Sequence, residues 1–571
     1  MTTESEKLKV VLCWHMHQPE YRNLETDEYQ LPWTYLHAIK DYVDMAAHIE
    51  SNPKARAVVN FTPTLMEQLS DYAEQLQDYF QGQNSLKDPL LIALAAKKLS
   101  SSKKPKMKLM KDCLRANAER LIDPFPPYKR LVEMTNWYLE HPSMLIYLKD
   151  QYVFDLLVWH HLAWMGETVR RRDRRIKKLL KKGTNFSYKD RQLLLSVISE
   201  LIAGITPRYK HLAEQGQVEL SVTPYAHPIM PLLLDLQCNK DAMPDAPLPN
   251  FDNYPGGEER VHWHIEKGLE VFKKYFGFTP VGCWPSEGSI SDRTLELLQD
   301  HGFKWTATGG NVLHNSLNHA GISHDIQESK GMHHVYRQDE GEIRCFFRDD
   351  GLADLIGFDY SKWHADDAVA NFIEHLENIY NQYDEQKDRV VSVILDGENA
   401  WEYYPENGFY FLTALYEKLA EHPKLELTTF GDILATDIEA ETLPELVAGS
   451  WVYGTFSTWI GEEAKNRGWE MLIEAKQCYD HVLEKNNLSA DKLQKIQHQL
   501  AICEGSDWFW WFGDYNSAES VSSFEKLYRL NLSLLYQLLE QPEPDYLQTA
   551  FTFGGGEPAT GGTMRPGQEQ E

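Results

Sequence analysis

Two acidic residues stand where predicted strands end: Glu287 in Gly282-Cys283-Trp284-Pro285-Ser286-Glu287-Gly288, and Asp396 in Ile394-Leu395-Asp396-Gly397-Glu398-Asn399. A pair of carboxylates on neighbouring strand ends of a barrel can cleave a glycosidic bond, one attacking or stabilising the anomeric carbon while the other delivers a proton. The chain carries 85 Asp and Glu, so residue type alone decides nothing and position carries the argument. A residue before proline is held extended, so Trp284 ends its strand and Glu287 emerges into the loop. The structural alternative for Glu287 is a helix N-terminal carboxylate near Ser289 and Ser291, a setting that also favours the ionised form a nucleophile needs. Asp396 follows the apolar run 391–395 and starts partly desolvated, which raises its pKa toward that of a proton donor. Strand alternation turns Glu398 the same way, so Glu398 competes for that role.

Other residues could support such a pair. His15-Met16-His17-Gln18-Pro19 closes the first predicted strand. Histidines at i and i+2 share a face and suit hydrogen bonding to a substrate or, with a third ligand, a metal. Trp284, Trp401 and Trp459 are candidate stacking platforms for sugar rings, whose C–H faces pack on indole. Arg348 and Asp349, at the end of the run 343–347, are expected to hold the acids in place, with a purely structural ion pair as the equal alternative. The aromatic run 508–511 is too dense to expose all its faces and reads as helix-packing core. His314, His319, His324, His333 and His334 lack ligand spacing and read as a solvated loop.

The elements that must position these residues follow from periodicity. Eight β-rich runs recur, at 8–14, 57–61, 218–223, 281–284, 303–308, 343–347, 390–395 and 425–430, several nearly continuous in apolar residues and separated by helical patterns. That is the signature of parallel strands buried on both faces, and it predicts a β/α barrel within residues 1–435. Residues 65–214 read as a mostly helical insertion over the barrel mouth, with the basic run 170–182 as a solvated helix face. Residues 436–545 read as a C-terminal helical region, and 546–571 as a disordered tail.

Composition excludes several classes. A formal charge of −28 over 571 residues opposes phosphate backbones and anionic lipid, so nucleic acid and membrane are not expected partners. Seven cysteines without CxxC pairs read as reduced thiols, and residues 1–9 lack an apolar leader, so the expected address is cytoplasmic.

Taken together, residues 15–19, 282–291, 347–358, 393–404, 459–470 and 506–511 resemble the ordered motifs of glycoside hydrolase family 57, in particular its α-amylase and amylopullulanase branch. The resemblance spans the chain to about residue 540. It implies an incomplete seven-stranded β/α barrel with a C-terminal helical region completing the cleft, and a retaining hydrolase of α-1,4-glucosidic bonds in glycogen, starch or maltooligosaccharides. It places Glu287 as nucleophile and Asp396 as general acid/base, with carboxyls about 5–5.5 Å apart and no cofactor. Transfer to a sugar would make the protein a 4-α-glucanotransferase or branching enzyme instead. A metal-dependent hydrolase or deacetylase is a further alternative, with His15, His17 and Asp349 or Asp396 as ligands, and a glucan-binding protein that has lost catalysis is a third, against which the intact Glu287 and Asp396 argue.

Overall fold

The structure, a computed structural model, describes residues 6–322, 331–339, 341–383, 385–485 and 488–556. Its centre is a closed ring of seven parallel strands: β1 (Leu8–Met16), β2 (Ala57–Phe61), β3 (Val218–Val222), β4 (Gly282–Cys283), β5 (Trp305–Gly309), β6 (Arg344–Arg348) and β7 (Val390–Asp396). Neighbours in the chain are neighbours in the ring, and β7 closes it by pairing with both β6 and β1.

Alternation explains why the strands are apolar throughout. Val11 and Cys13 of β1 join Val58, Trp305, Ala307, Phe346 and Ile394 in the cluster that fills the ring, whereas Val10, Leu12 and Trp14 face the surrounding helices. Both faces are therefore dry. The same period continues past the filled layer: after Val11 and Cys13 come His15 and His17, and after Ile394 comes Asp396. The barrel thus turns inward-facing apolar residues into inward-facing polar ones at its C-terminal rim, where parallel barrels carry their sites.

The eighth predicted strand exists but lies outside the ring. Leu425–Thr428 (β8) pairs with residues 8–11 of β1, while β2 pairs with residues 13–16 of the same strand, so one edge of β1 serves two partners end to end. Phe430, just beyond β8, plugs the barrel floor against Trp305 and Phe346 at ring-centroid distances of 4.5 and 4.4 Å.

Between β2 and β3 the chain is helical, with Pro63–Phe80 and Tyr188–Glu214 the longest segments. After β8 come Glu463–Lys485, Ala490–Cys503 and Ala518–Leu538. The expected tail starts too early in the sequence reading. Leu547 and Thr552 are buried, Phe551 packs edge-on against Phe512, and Gly556 bridges to Ser517. Apolar residues at 546, 547 and 551 gave this segment something to bury, while Phe553 stays exposed; residues 557–571 lie outside the described range. All seven cysteines are free thiols. Among the described residues no helix is long and apolar enough to cross a membrane.

Candidate active site

Glu287 and Asp396 come together at the C-terminal rim. Both line an inner pocket of about 30 Å³ with His15, His17, His227, Glu398 and Asp507. Asp396 and Asn399 also line a larger adjoining cleft of about 220 Å³, bordered by Arg348, Phe358, Tyr403, Trp451 and Tyr453. Asp396 is therefore the hinge between a tight polar pocket and an open, aromatic-edged groove.

Glu287 is not a helix-terminal residue. It sits in a single 3-10 turn, Ser286–Gly288, and the helix Asp292–Asp300 begins later, capped by Ser291. Its φ of 57° and ψ of 23° are left-handed, a conformation costly for a residue with a Cβ. His227 and Tyr453, at φ of 60° and 55°, share this geometry, so backbone strain collects around the site. The segment 449–451 holds the turn: Ile290 and Gly449 exchange backbone hydrogen bonds, and Trp451 N–H donates to the Glu287 carbonyl at 3.0 Å. Gly309, ending β5, permits this approach, because a Cβ there would lie 2.6 Å from Trp451 Cα.

The Trp451 indole N–H donates to Glu287 Oε2 at 3.0 Å. That bond, with one from Ser506, favours the carboxylate. Burial outweighs both and, with Asp396 and Asp507 as nearby negative charges, pushes the Glu287 pKa well above its ordinary value. Burial also raises Asp396 from 3.8 to about 6, against the Asn399 amide that donates to its Oδ2 at 2.6 Å. Each acid makes it harder for the other to ionise, the condition under which a carboxyl pair holds a proton near neutrality.

The histidines form a hydrogen-bonded stack. His15 Nδ1 lies 2.7 Å from Asn60 Oδ1, which also accepts from Thr223, so the ring proton belongs on Nδ1. His15 Nε2 then accepts from His227 Nε2 at 3.1 Å, and His227 Nδ1 lies 2.8 Å from the Ser506 hydroxyl, whose single proton is shared between this ring and Glu287. Burial, with neighbouring imidazoles, lowers the pKa of His15 to about 3 and that of His227 well below its ordinary value, so both are neutral. His17 bridges Thr62 Oγ1 at 3.1 Å and Asp507 Oδ1 at 2.7 Å, and its ring lies nearly parallel to His227 at 3.9 Å. The three rings offer nitrogens within 4.8 Å of one another. As arranged, however, the His17 nitrogens face Thr62 and Asp507, and the rings stack instead of converging on one point. Asp349 is no third ligand here: it caps the helix Asp350–Asp354 and bonds His333 Nε2 at 3.0 Å.

Glu398 separates from Asp396 in setting. Its Oε1 accepts from His17 N–H at 3.1 Å, Gln18 Nε2 at 3.2 Å and the Tyr42 hydroxyl at 3.2 Å, with burial and Asp396 raising its pKa. Asp396 alone of the two reaches the open cleft.

The other expected residues divide. Arg348 lines the cleft, bonded to the Ile394 carbonyl at 2.8 Å, paired with Asp350 and Asp354, and 5.5 Å from the centre of the Trp451 ring. The three expected platforms are buried instead. Trp284 packs under Trp451 at 5.3 Å, Trp401 against Trp14 at 5.7 Å, and Trp459 behind Trp510 at 5.8 Å. The aromatic edge of the cleft comes from Phe358, Tyr403, Trp451 and Tyr453, while Trp510 and Trp511, read as core, each contribute a face to the cleft and the pocket. His333 is buried against Asp349 and Tyr383, not solvated, and His324 lies outside the described residues.

His227 and Trp451 were not singled out from sequence, and Ser506 and Asp507 only as the start of the motif 506–511, with no role assigned. His227 carries a readable signal, since Thr223-Pro224-Tyr225-Ala226-His227-Pro228 ends a strand with a histidine before proline, as at Gln18-Pro19. Nothing local marks Trp451, and the motif 506–511 does not tell that Ser506 and Asp507 turn into the site; all three arrive from outside the barrel.

Comparison with known proteins bears on this geometry. The structure resembles that of TK1436, a branching enzyme of Thermococcus kodakaraensis crystallised with glucose, at 14% identity and a TM-score of 0.56 over 95% of this chain and 92% of that one. It resembles the α-amylase AmyC of Thermotoga maritima at 16% identity and a TM-score of 0.55, over 95% and 96% of the two chains. A 4-α-glucanotransferase of Thermococcus litoralis aligns at 13% identity and a TM-score of 0.51, over 94% of this chain and 61% of that one. No curated protein sequence matches. At these identities the likenesses establish the barrel fold, whereas the family pattern described as Glycosyl hydrolase family 57 matches residues 11–446, most of the chain. With the strand-end carboxylates inside that stretch, the chain belongs to glycosyl hydrolase family 57.

Proposed function

We propose that the protein cleaves α-1,4-glucosidic bonds of glycogen, starch or maltooligosaccharides with retention of configuration. The observation that carries this reading is the pairing of Glu287 and Asp396 in one buried pocket opening onto an aromatic-edged cleft. Glu287, aimed by Trp451, attacks the anomeric carbon as Asp396 protonates the departing glycosidic oxygen; Asp396 then activates the acceptor against the glycosyl-enzyme. Burial raises both acids, so the pair holds a proton near neutrality; attack uses the form in which that proton sits on Asp396, which the Trp451 N–H on Glu287 favours. Loss of the Asp396 proton above about pH 6 predicts a falling alkaline limb in kcat.

A second reading, transfer to a sugar hydroxyl, is favoured by the closure of the inner pocket under Trp511 and Phe524, which leaves little room for water beside a bound ring. Incubation of the protein with maltoheptaose and with glycogen, following product lengths and reducing ends, separates the two. Rising reducing ends establish hydrolysis, and redistributed lengths at constant reducing ends establish transfer. Turnover abolished by chelator and restored by a divalent cation would move the stacked histidines from sugar contacts to metal ligands and overturn the metal-free mechanism.

A further inference from the structure

On the far side of one cleft wall lies a second cavity, of about 370 Å³, between the helical insertion and the loop after β7. The wall is the segment 403–406. Tyr403 lines the catalytic cleft, Pro405 and Glu406 line the second cavity, and the Arg120 guanidinium, itself in the cavity lining, donates to the Tyr403 carbonyl at 2.8 Å. The wall is conformationally pinned: Glu406, Asn407 and Gly408 run consecutively at φ of 46°, 55° and 70°.

The chemistry of the lining narrows what can bind. Arg120, Arg170 and Arg171 face the cavity, and so do Glu119, Glu167 and Glu406. Glu167 sits between two of the arginines, accepting from Arg170 Nε at 2.9 Å and from Arg171 Nε at 2.6 Å. An anion would meet three carboxylates and a cation three guanidiniums, while a wholly apolar ligand would desolvate all six. A neutral polyol suits the set, because the Arg120 and Arg171 guanidiniums donate and the Glu119 and Glu406 carboxylates accept across neighbouring hydroxyls, whereas Arg170 is spent on Glu167 and on the Ala163 and Met165 carbonyls. Phe125 and Leu180 supply the apolar surface against which the C–H face of a sugar ring packs. The size falls within the usual range of small-ligand sites.

We propose that this cavity is a second, non-catalytic α-glucan site that holds a neutral oligosaccharide segment while glucan is processed across the wall. The cavity geometry stands independently, and the choice of glucan among neutral polyols rests on the function proposed above. The basic run of the insertion, read from sequence as a solvated face, acquires a binding role at its first two residues.

The test uses the full chain and reads binding and turnover separately. Glu287→Gln protein, in which turnover is blocked, is titrated with maltoheptaose, alone and combined with Phe125→Ala. Two binding events are expected, the second weakened about tenfold or more by Phe125→Ala, equivalent to about 1.4 kcal/mol. In the otherwise native enzyme, Phe125→Ala should raise KM for glycogen and leave kcat on a short maltooligosaccharide unchanged. Glu406→Lys, at an exposed position, unbalances the charge and should weaken the same event, so the test survives a Phe125 variant that folds poorly. A single binding event insensitive to both substitutions overturns the site even if α-glucan turnover is found. Phe125-dependent binding of glucose 6-phosphate or inorganic phosphate in place of maltoheptaose overturns the neutral-ligand assignment. Phe125-dependent maltoheptaose binding without Glu287-dependent turnover of any α-glucan keeps the site and removes the catalytic reading.

Discussion

Glu287 and Glu504 are both buried, yet the protein treats their charges in opposite ways. Glu504 accepts from Arg260 Nε at 2.8 Å and Arg260 Nη2 at 2.7 Å, from His264 Nε2 at 2.8 Å and from the Tyr254 hydroxyl at 2.5 Å. Arg260 as the leading counter-charge, with His264, overcomes the cost of burial and lowers its pKa from 4.5 to about 2. Among the described residues Glu287 has no guanidinium of this kind: an indole donates to it, the neutral His227 ring lies 3.8 Å away, and two further acids crowd it. Counter-charge is concentrated where parts must be held and withheld where a proton must move. The two sites are mechanically linked. Glu504 fastens the end of the helix Ala490–Cys503 to the barrel helix Gly257–Phe276, and the next residues, Ser506 and Asp507, reach His227 and His17.

The same substitution at each glutamate should therefore give opposite results. Glu287→Gln is expected to lower kcat/KM on maltoheptaose by about 10³-fold or more, since it removes the attacking oxygen. It should not lower stability at pH 8 and should raise it relative to pH 4, because a carboxyl with a raised folded pKa loses stability as pH rises; thermal melts at the two pH values check the sign. Glu504→Gln should cost about 3–5 kcal/mol in denaturant unfolding, as it strands a buried guanidinium. In the native protein the Glu504 contribution is fully present above pH 4.5 and lost as pH falls toward about 2, so the penalty of the substitution should shrink over that window. The smallest effect is at Asp396. Its folded pKa of about 6 against 3.8 means stability declines from pH 4 to pH 6, and Asp396→Asn should remove that slope and recover up to about 3 kcal/mol at pH 8, less whatever solvent screens at this half-buried group. A Glu287 variant that unfolds like the Glu504 variant would erase the contrast.

The ring strands were legible because a parallel strand covered on both faces must be apolar along its whole length, and runs such as 8–14 and 390–395 satisfy that. Glu287 and Asp396 were legible because a rule about strand ends selects them from 85 acids. The indoles misled because composition near an acid does not tell which side of a loop a ring faces. Trp284, Trp401 and Trp459 are large enough that burial dominates, and the cleft is edged instead by side chains whose backbones are strained or half-exposed, such as Tyr453 and Phe358. Trp451 was illegible, and the role of Asp507 was too although its motif was noticed, because tertiary convergence leaves no local mark. Burial of Glu287 was also missed: a strand end need not be a rim once a distant segment folds over it.

The ring closes between its first strand and its last. Lys9 lies opposite Val390, and His17 meets Asp507 across 490 residues of chain. At about 5–20 residues per second of synthesis, roughly 25–100 s separate the appearance of those two partners. For most of that interval the edge of β1 that β7 later covers is unpaired, although β2 can pair with its other edge early, and LKVVLCWHM carries no charge after Lys9 to guard it. In the nascent chain β1 is therefore exposed to wrong partners until β7 arrives, and chaperone dependence should concentrate on that strand instead of on the later strands of the ring.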